Sequence, residues 1–246
     1  MMQRTFWLVL ILSLAMSSFC SVRAEEKSTG VPAEYKLLYS QDFVQPGSMS
    51  DFTMTDPKAW RLAKAEKDDA ALELLGKSKY KPPHRSPVNF ALLKDLRFGD
   101  FILDVDCLQT GREYGHRDMI VVFGFQSPAK FYYTHIATKA DDHANQIFIV
   151  DDAPRKKISI TSNDGNKWGL NEWRHVRVER KLAEGTIKVY FEDMEKPIMV
   201  AEDKSFGDGW LGFGSFDDTG KIRNVKIWGP SAEKKEVPAF PAKDKS

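Results

Sequence analysis

The chain has 246 residues, with 36 Lys and Arg against 35 Asp and Glu, a formal net charge of +1 at neutral pH. This length is enough to bury the core of one domain of ordinary size. The balanced charge, with no dominant basic stripe, gives no support for nucleic-acid binding.

The first 24 residues, MMQRTFWLVLILSLAMSSFCSVRA, have the pattern of a secretory signal peptide. Arg4 precedes a short apolar run, and small residues occupy the cleavage-site positions up to Ala24. The run is too short for stable insertion in a membrane, so we expect a secreted or periplasmic protein that is cleaved near Ala24. Cleavage also removes Cys20. Cys107 is then the one cysteine left, so an intrachain disulfide cannot form. The remaining 222 residues carry 34 basic and 35 acidic side chains, because the leader holds two basic residues and no acidic one.

Composition divides the rest of the chain into one domain and two polar ends. Residues 25–34, EEKSTGVPAE, predict a flexible N-terminal segment, and residues 230–246, PSAEKKEVPAFPAKDKS, predict a disordered tail. Residues 35–229 are predicted to form the folded domain, which we expect to be a monomer.

The hydrophobic pattern of this domain has a period of two rather than 3.6. In FILDVDCL, every second residue from Phe101 to Cys107 is apolar, while Asp104 and Asp106 share the other face. This alternation is typical of a half-buried antiparallel strand and predicts that Cys107 is buried. The same argument points Val176 and Val178 inward from WRHVRVER, which forms a hairpin with TIKVYFED.

About a dozen such runs, punctuated by Gly, Asp, Asn and Pro, predict an all-β fold of two stacked antiparallel sheets or a barrel. The segment AWRLAKAEKDDAALELLGKS leaves open the alternative of a helix that begins at Lys58. The predicted strands are residues 37–40, 60–63, 71–75, 88–92, 101–108, 119–125, 131–138, 146–150, 157–161, 173–180, 186–193, 209–216 and 221–228.

Three segments resemble the concanavalin A-like, laminin-G-like jelly rolls: YSQDF near the start, the hairpin WRHVRVERKLAEGTIKVYFED, and the closing GDGWLGFGSFDDTGKIRNVKIWGP. Within that superfamily, the segment GHRDMIVVFGFQSPAKFYYTHIATKADDHANQIFIVDDAPR is similar to the 3-keto-disaccharide hydrolase-like domains of exported bacterial proteins. The resemblance implies a jelly-roll sandwich and a carbohydrate partner. It establishes no activity, because jelly rolls serve as lectins, hydrolases, lyases and structural modules.

Candidate site residues concentrate in and around KFYYTHIATKADDHANQIFIVDDAPR, residues 130–155. Tyr133 and His135 share one face of a strand, where a ring can stack on a sugar and an imidazole can reach a hydroxyl. We take His135, Tyr133 and Asp118 as candidate catalytic residues. The alternative is that His135 and Tyr133 are satisfied partners in the interior and that Asp118 only ends a turn. The candidate substrate-binding residues are Arg85, His116, Arg117, His143, Asn145, Arg155 and Trp168.

The sequence places two of the candidate arginines in different surroundings. Arg85 lies between prolines that restrict its backbone, so it is a candidate for reading an acidic sugar; the alternative is an exposed arginine in a loop. In HRDMIVVFGF, alternation places Arg117 with Met119, Val121 and Phe123 on the face expected to point to the core.

The sequence favours cleavage of glycosidic bonds by a hydrolase or lyase of the keto-sugar or uronate type, with His135 or Tyr133 as base. The paired carboxylates of the superfamily's glycosidases, E-x-D-x-E, are absent. A non-catalytic glycan-binding module and a structural jelly roll remain alternatives.

No cofactor is required. A structural calcium ion at Asp42 is an open alternative implied by the resemblance, although Arg223 stands where relatives often carry Asp.

Overall fold

The structure is a computed structural model that describes residues 30–63, 70–238 and 240. The predicted leader, residues 1–24, lies outside the described residues. Among the residues that are described, no helix is long and apolar enough to cross a membrane.

The described chain is built from strands, with 3₁₀ turns at Ser48–Asp51 and Pro57–Ala59. Its seventeen strands are β1 (Lys36–Gln41), β2 (Phe52–Met54), β3 (Trp60–Ala63), β4 (Ala71–Leu74), β5 (Asn89–Phe98), β6 (Phe101–Gln109), β7 (Met119–Ser127), β8 (Lys130–Ile136), β9 (Gln146–Asp151), β10 (Lys156–Lys157), β11 (Ser159–Ser162), β12 (Trp173–Lys181), β13 (Thr186–Phe191), β14 (Met199–Glu202), β15 (Gly209–Ser215), β16 (Gly220–Gly229) and β17 (Ala232–Lys234).

These strands form two antiparallel sheets, which confirms the predicted all-β sandwich. The nine-stranded sheet has the order β11-β14-β13-β12-β6-β16-β4-β3, with β1 also paired to β16. The eight-stranded sheet has the order β10-β9-β8-β7-β15-β5-β17, with β2 also paired to β5. Many neighbours are far apart in sequence, so the residues that meet at the end of a sheet come from distant segments.

The helix alternative at Lys58 is wrong. Trp60–Ala63 and Ala71–Leu74 pair antiparallel as β3 and β4, because Leu72 and Leu74 gain full burial in the core of the sandwich. The single strand predicted over residues 157–161 is two strands, β10 and β11, which belong to different sheets. The chain thus changes sheet at Ile158.

The space between the sheets holds the main hydrophobic core, and alternation along the strands fills it as expected. Leu103, Val105 and Cys107 point inward from β6, and Cys107 is a buried free cysteine. Val121 and Phe123 point inward from β7. The predictions for these two strand faces are confirmed.

A second apolar layer lies on the outer face of the eight-stranded sheet. It includes Val122, Phe131 and Tyr133, which point away from the main core because their neighbours along β7 and β8 point into it. Tyr80 and Phe240 pack on this layer, both against Phe90, with ring centroids 6.4 and 5.9 Å away. Flanking segments therefore cover part of the outer face.

The disordered tail predicted for residues 230–246 needs correction over its first part. Ala232–Lys234 pairs with β5, and the N–H groups of Lys235 and Val237 donate to the carbonyls of Asp95 and Lys94. The Val237 side chain is buried in the outer apolar layer. Backbone pairing with a free sheet edge does not depend on apolar composition, so it orders a segment whose composition is polar.

Strand β15 lies at the centre of the eight-stranded sheet and depends on its glycines. A Cβ on Gly214 would lie 1.9 Å from the carbonyl oxygen of Asn89, and one on Gly212 would lie 2.2 Å from that of Ala91. No side chain fits these positions without a shift of the backbone. The close approach fixes the turn after β15, residues 216–219, beside the start of β7.

Candidate functional site

A pocket of about 310 Å³ opens at one end of the eight-stranded sheet, on its outer side. Six of the ten residues predicted from the sequence to catalyse or bind line this pocket: Arg85, His116, Asp118, His135, His143 and Arg155. They come from the loop before β5, the start of β7, the end of β8, the β8–β9 turn and the segment after β9. The size is at the lower end of what holds a small ligand.

Asp118 forms the floor of the pocket and is fully buried. Its Oδ1 accepts a hydrogen bond from the Ser215 hydroxyl at 2.7 Å, and Oδ2 accepts one from the Phe216 N–H at 3.4 Å. Burial and the nearby charge of Asp218, with which it also shares a hydrogen bond, raise the pKa of Asp118 well above its usual range. The protonated form of this carboxyl is therefore favoured.

His135 lies beside Asp118 and is almost fully buried. Its Nδ1 accepts a long hydrogen bond of 3.4 Å from the Asn145 N–H, which leaves the proton of the neutral ring on Nε2. Burial and the charge of Arg155 lower the pKa of His135 to about 3. The imidazole is thus neutral, and its 3.9 Å contact with Asp118 Oδ2 is neither an ion pair nor a hydrogen bond.

Arg155 is held in place by aromatic rings. Its guanidinium carbon lies 4.9 Å from the ring centroid of Phe148 and 4.5 Å from that of Phe216. Nη1 also donates to the Tyr133 hydroxyl at 3.1 Å. Stacking of this kind is worth about 0.5 to 2 kcal/mol per ring and fixes the plane of the guanidinium.

Tyr133 supports the pocket from behind. Its ring is fully buried and stacks on Phe148 at 5.1 Å, and burial raises the pKa of its hydroxyl far above the ordinary value. Tyr133 and His135 do share one face of β8, as predicted. The expected role of Tyr133 as a base does not fit, because a buried phenol that keeps its proton is a poor base.

The rim of the pocket contains residues that the sequence did not single out. Arg112 lies over the ring of Tyr114 at 4.7 Å, and the Tyr114 hydroxyl donates to Asp218 Oδ2 at 2.8 Å. Phe216 and Asp217 complete the wall. The acidic segment SFDDTG overlaps the end of β15, and the pairing of β15 with β7 brings it to Asp118.

Three predicted binding residues do not reach the pocket. Arg117, Asn145 and Trp168 have fully buried side chains, so none of them can contact a ligand in solution, which corrects the expectation for all three. The Arg117 guanidinium donates to the carbonyls of Gly169 at 2.6 Å and Gly111 at 3.4 Å. It therefore joins two loops.

Asn145 and Trp168 have structural roles around the β8–β9 turn. Asn145 takes a left-handed φ of 54°, and its amide bonds to Asn163 Oδ1 at 2.6 Å and to the Asn166 side chain at 2.7 Å. Trp168 Nε1 donates to the Ile136 carbonyl at 3.2 Å, and the indole packs edge-on against Phe191. These contacts fix the turn that carries His143 to the pocket rim.

The residues around Asp42 do not fit a calcium site. Asp42 is exposed and its Oδ1 accepts the N–H of Val44 at 3.1 Å, which makes it the cap of a turn. Arg223, at the position expected to supply the second acid, stacks over Trp173 and pairs with Asp106. Within the described ranges, no group of three or more His, Cys, Asp or Glu side chains is arranged to hold a metal ion.

The fold of this chain is shared with several known proteins. No protein-family model matches the sequence, and no curated protein matches it. The fold is similar to the carbohydrate-binding module CBM66 from Bacillus subtilis, with a TM-score of 0.52, 16% identity, and coverage of 73% of this chain and 96% of the module.

Two legume lectins show the same similarity. A seed lectin from Lotus tetragonolobus has a TM-score of 0.51, 10% identity, and coverage of 81% of this chain and 99% of the lectin. Lectin I from Ulex europaeus, in complex with the methyl glycoside of α-L-fucose, has a TM-score of 0.51, 12% identity, and coverage of 82% and 99%. The chain is thus a two-sheet antiparallel sandwich whose fold is similar to that of the legume lectins.

Proposed function

We propose that this protein is a non-catalytic carbohydrate-binding domain whose ligand enters the pocket between Asp118, His135 and Arg155. The observation that carries the proposal is the convergence, in one pocket, of aromatic rings with planar hydrogen-bonding side chains. A sugar needs both, because its C–H faces pack on rings and its hydroxyls bind amides, carboxylates, imidazoles and guanidinium groups. Export, expected from residues 1–24, belongs to the same proposal.

The titration behaviour of the pocket supports binding over catalysis. An efficient general base has a pKa near the operating pH, and a His135 pKa of about 3 makes its imidazole a weak base. The carboxyls of Asp118 and Asp218 are hydrogen-bonded to each other. Glycosidases instead hold their two carboxyls about 5 to 5.5 Å apart when they retain, and about 6.5 to 9.5 Å apart when they invert, the anomeric configuration.

The second candidate function is cleavage of glycosidic bonds, by a hydrolase or lyase of the keto-sugar or uronate type. One observation favours it: Asp118 combines a raised pKa with a place on the pocket floor. A carboxyl with a raised pKa is suited to act as a general acid. Arg155 would be the cationic group that stabilises charge on a substrate carbonyl.

The binding proposal is tested with a broad glycan array followed by calorimetry on the best ligand. Phe216→Ala removes the ring next to Arg155 and His135, so we expect affinity to fall by about tenfold or more. Ile160→Ala is the matched control, because Ile160 is an exposed apolar residue outside the pocket. Unchanged affinity in Phe216→Ala, with the melting temperature also unchanged, would place the ligand elsewhere.

Asp118→Asn separates binding from catalysis. The amide has the shape of the protonated carboxyl, so we expect the variant to fold and to bind the same glycan within about threefold. The wild-type protein should leave that glycan intact on long incubation, as judged by mass spectrometry. Cleavage by the wild type that Asp118→Asn abolishes, with binding retained, would establish the enzyme instead.

A further inference from the structure

Three arginines line the pocket, and within the described residues none of them is paired with a carboxylate. Arg155 contacts two rings and the Tyr133 hydroxyl. Arg112 contacts the ring of Tyr114. Arg85 is exposed, and its backbone carbonyl accepts the N–H of Arg155 at 3.1 Å, which brings the loop of Arg85 to the pocket. Three guanidinium groups in one pocket therefore keep their charge uncompensated by an ion pair.

Most of the other described arginines are paired with carboxylates. Carboxylates within 4 Å are the rule outside the pocket: Arg61 with Glu73, Arg97 with Asp208 and Glu233, Arg174 with Glu172 and Glu192, Arg177 with Asp104, and Arg223 with Asp106. Arg117 and Arg180 bind backbone carbonyls instead. The described chain thus pairs most of its other arginines with acids but forms no ion pair with these three.

We infer that the ligand is an anionic glycan, whose sugar carries a carboxylate or a sulfate ester that binds between Arg85, Arg112 and Arg155. This inference rests on the proposed carbohydrate-binding function and names the class of sugar. Arginine stays charged at any physiological pH, and its planar fork binds carboxylate and sulfate oxygens in pairs. Arg155 is already oriented by stacking, so its ordering costs little entropy on binding.

The acids of the pocket restrict the ligand further. Asp217 and Asp218 line the same pocket as the arginines. Their carboxylates would repel a second anionic group and would accept hydrogen bonds from neutral hydroxyls. The ligand therefore carries one anionic group together with hydroxyls, which describes a uronate or a sulfated sugar better than a free inorganic anion.

The test uses glycan pairs that share a backbone and differ only in charge. One pair is an oligogalacturonate and its carboxyl-reduced neutral counterpart, and the other is a sulfated galactan oligosaccharide and its desulfated counterpart. We expect the charged member of one pair to bind at least about tenfold more tightly. Its affinity should fall as NaCl rises from about 50 mM to about 500 mM, because salt screens the arginines. The pair that responds identifies carboxylate or sulfate.

Arginine variants assign the effect to this pocket. Arg85→Gln and Arg112→Gln should each weaken the charged ligand by about tenfold and leave the neutral one unchanged. Arg61→Gln is the control, because Arg61 is an exposed arginine on the other sheet. Equal affinity for both members of a pair, with no effect of the arginine variants, would overturn the inference and keep the carbohydrate-binding function. Binding to no glycan in this set or on the array would overturn both.

Discussion

Two histidines of this protein lie beside aspartates on the outer faces of different sheets, and their pKa values move in opposite directions. On the nine-stranded sheet, the carboxylates of Asp104 and Asp106 raise the pKa of His175 to about 9. In the pocket, burial and the charge of Arg155 lower the pKa of His135 to about 3. Contact with an aspartate therefore does not decide the charge of a histidine.

The difference follows from how each cluster balances its charge. His175 Nδ1 lies 2.9 Å from Asp106 Oδ1, and Arg177 makes two hydrogen bonds, at 2.6 and 2.8 Å, to Asp104. Acids and bases are satisfied within this cluster, which leaves little for a ligand to add. In the pocket, Asp118 favours its protonated form, and in the described chain no carboxylate forms an ion pair with Arg85, Arg112 or Arg155. An external anion would supply what the pocket lacks.

The largest expected effect is the loss of the buried ion pair on the nine-stranded sheet. Arg177 and Asp104 are both almost fully buried. Arg177→Ala leaves the Asp104 carboxylate without its main partner, so we expect the free energy of unfolding at neutral pH to fall by about 3 to 5 kcal/mol in urea denaturation. Arg61→Ala, which removes a largely exposed arginine from its pair with the buried Glu73, should cost less than Arg177→Ala. Similar small losses in both variants would show that Arg177 is not the main partner of the Asp104 carboxylate.

The second effect is the acid sensitivity that His135 gives the protein. Because its pKa is lower in the folded state than the ordinary value of 6.5, the unfolded state binds more protons as the pH falls below 6.5. Stability from this group is present above pH 6.5 and is lost toward pH 3. Over the first two pH units below 6.5 the loss is about 2 kcal/mol, since one pKa unit corresponds to about 1.4 kcal/mol.

His135→Gln should remove this part of the pH dependence, as measured by urea denaturation at several pH values. Asp118 contributes with the opposite sign, because its pKa is raised, but it is present in both proteins and cancels to a first approximation in the difference. His143→Gln, at the exposed rim of the same pocket, is the control. Identical slopes in the wild type and in His135→Gln would mean that the pKa of His135 is not lowered in the folded state.

The fold was largely predictable from the sequence, because alternation records which face of a strand is buried. The pattern of β6 placed Cys107 in the core, and the pattern of β7 placed Met119, Val121 and Phe123 there. The same pattern put Arg117 on the inward face, so a signal against its role in binding was already present. The short strand β17 was missed because it is held by backbone hydrogen bonds to β5, which leave no mark in composition.

The site was most predictable where its residues cluster in sequence, and Arg85 was indicated separately by its flanking prolines. His135, His143 and Arg155 belong to one hairpin and its exit, so their residue types indicated a site. Asp218 hydrogen-bonds the Asp118 backbone from 100 residues away. That meeting depends on the pairing of β15 with β7, and alternation within one strand cannot give the register between strands. Tyr114 and Phe216 were missed for the same reason.

The smallest expected effect is the alkaline sensitivity that comes from His175. Its pKa is higher in the folded state, so its contribution to stability is fully present below pH 6.5 and is lost as the pH rises through 9. The side chain is 38% exposed, and solvent screening reduces the contribution to about 1 kcal/mol. His175→Gln should therefore lower the free energy of unfolding by about this amount near pH 6.5 and by nothing above pH 9.

Asp106→Asn, which keeps the histidine and removes its nearest acid, should flatten the same alkaline slope. The two histidine variants should thus change the pH profile at opposite ends. A loss of stability in His175→Gln that persists unchanged above pH 9 would show that the ring stabilises the sheet by packing rather than by its charge. Of the two histidines, only His135 would then make the stability depend on pH.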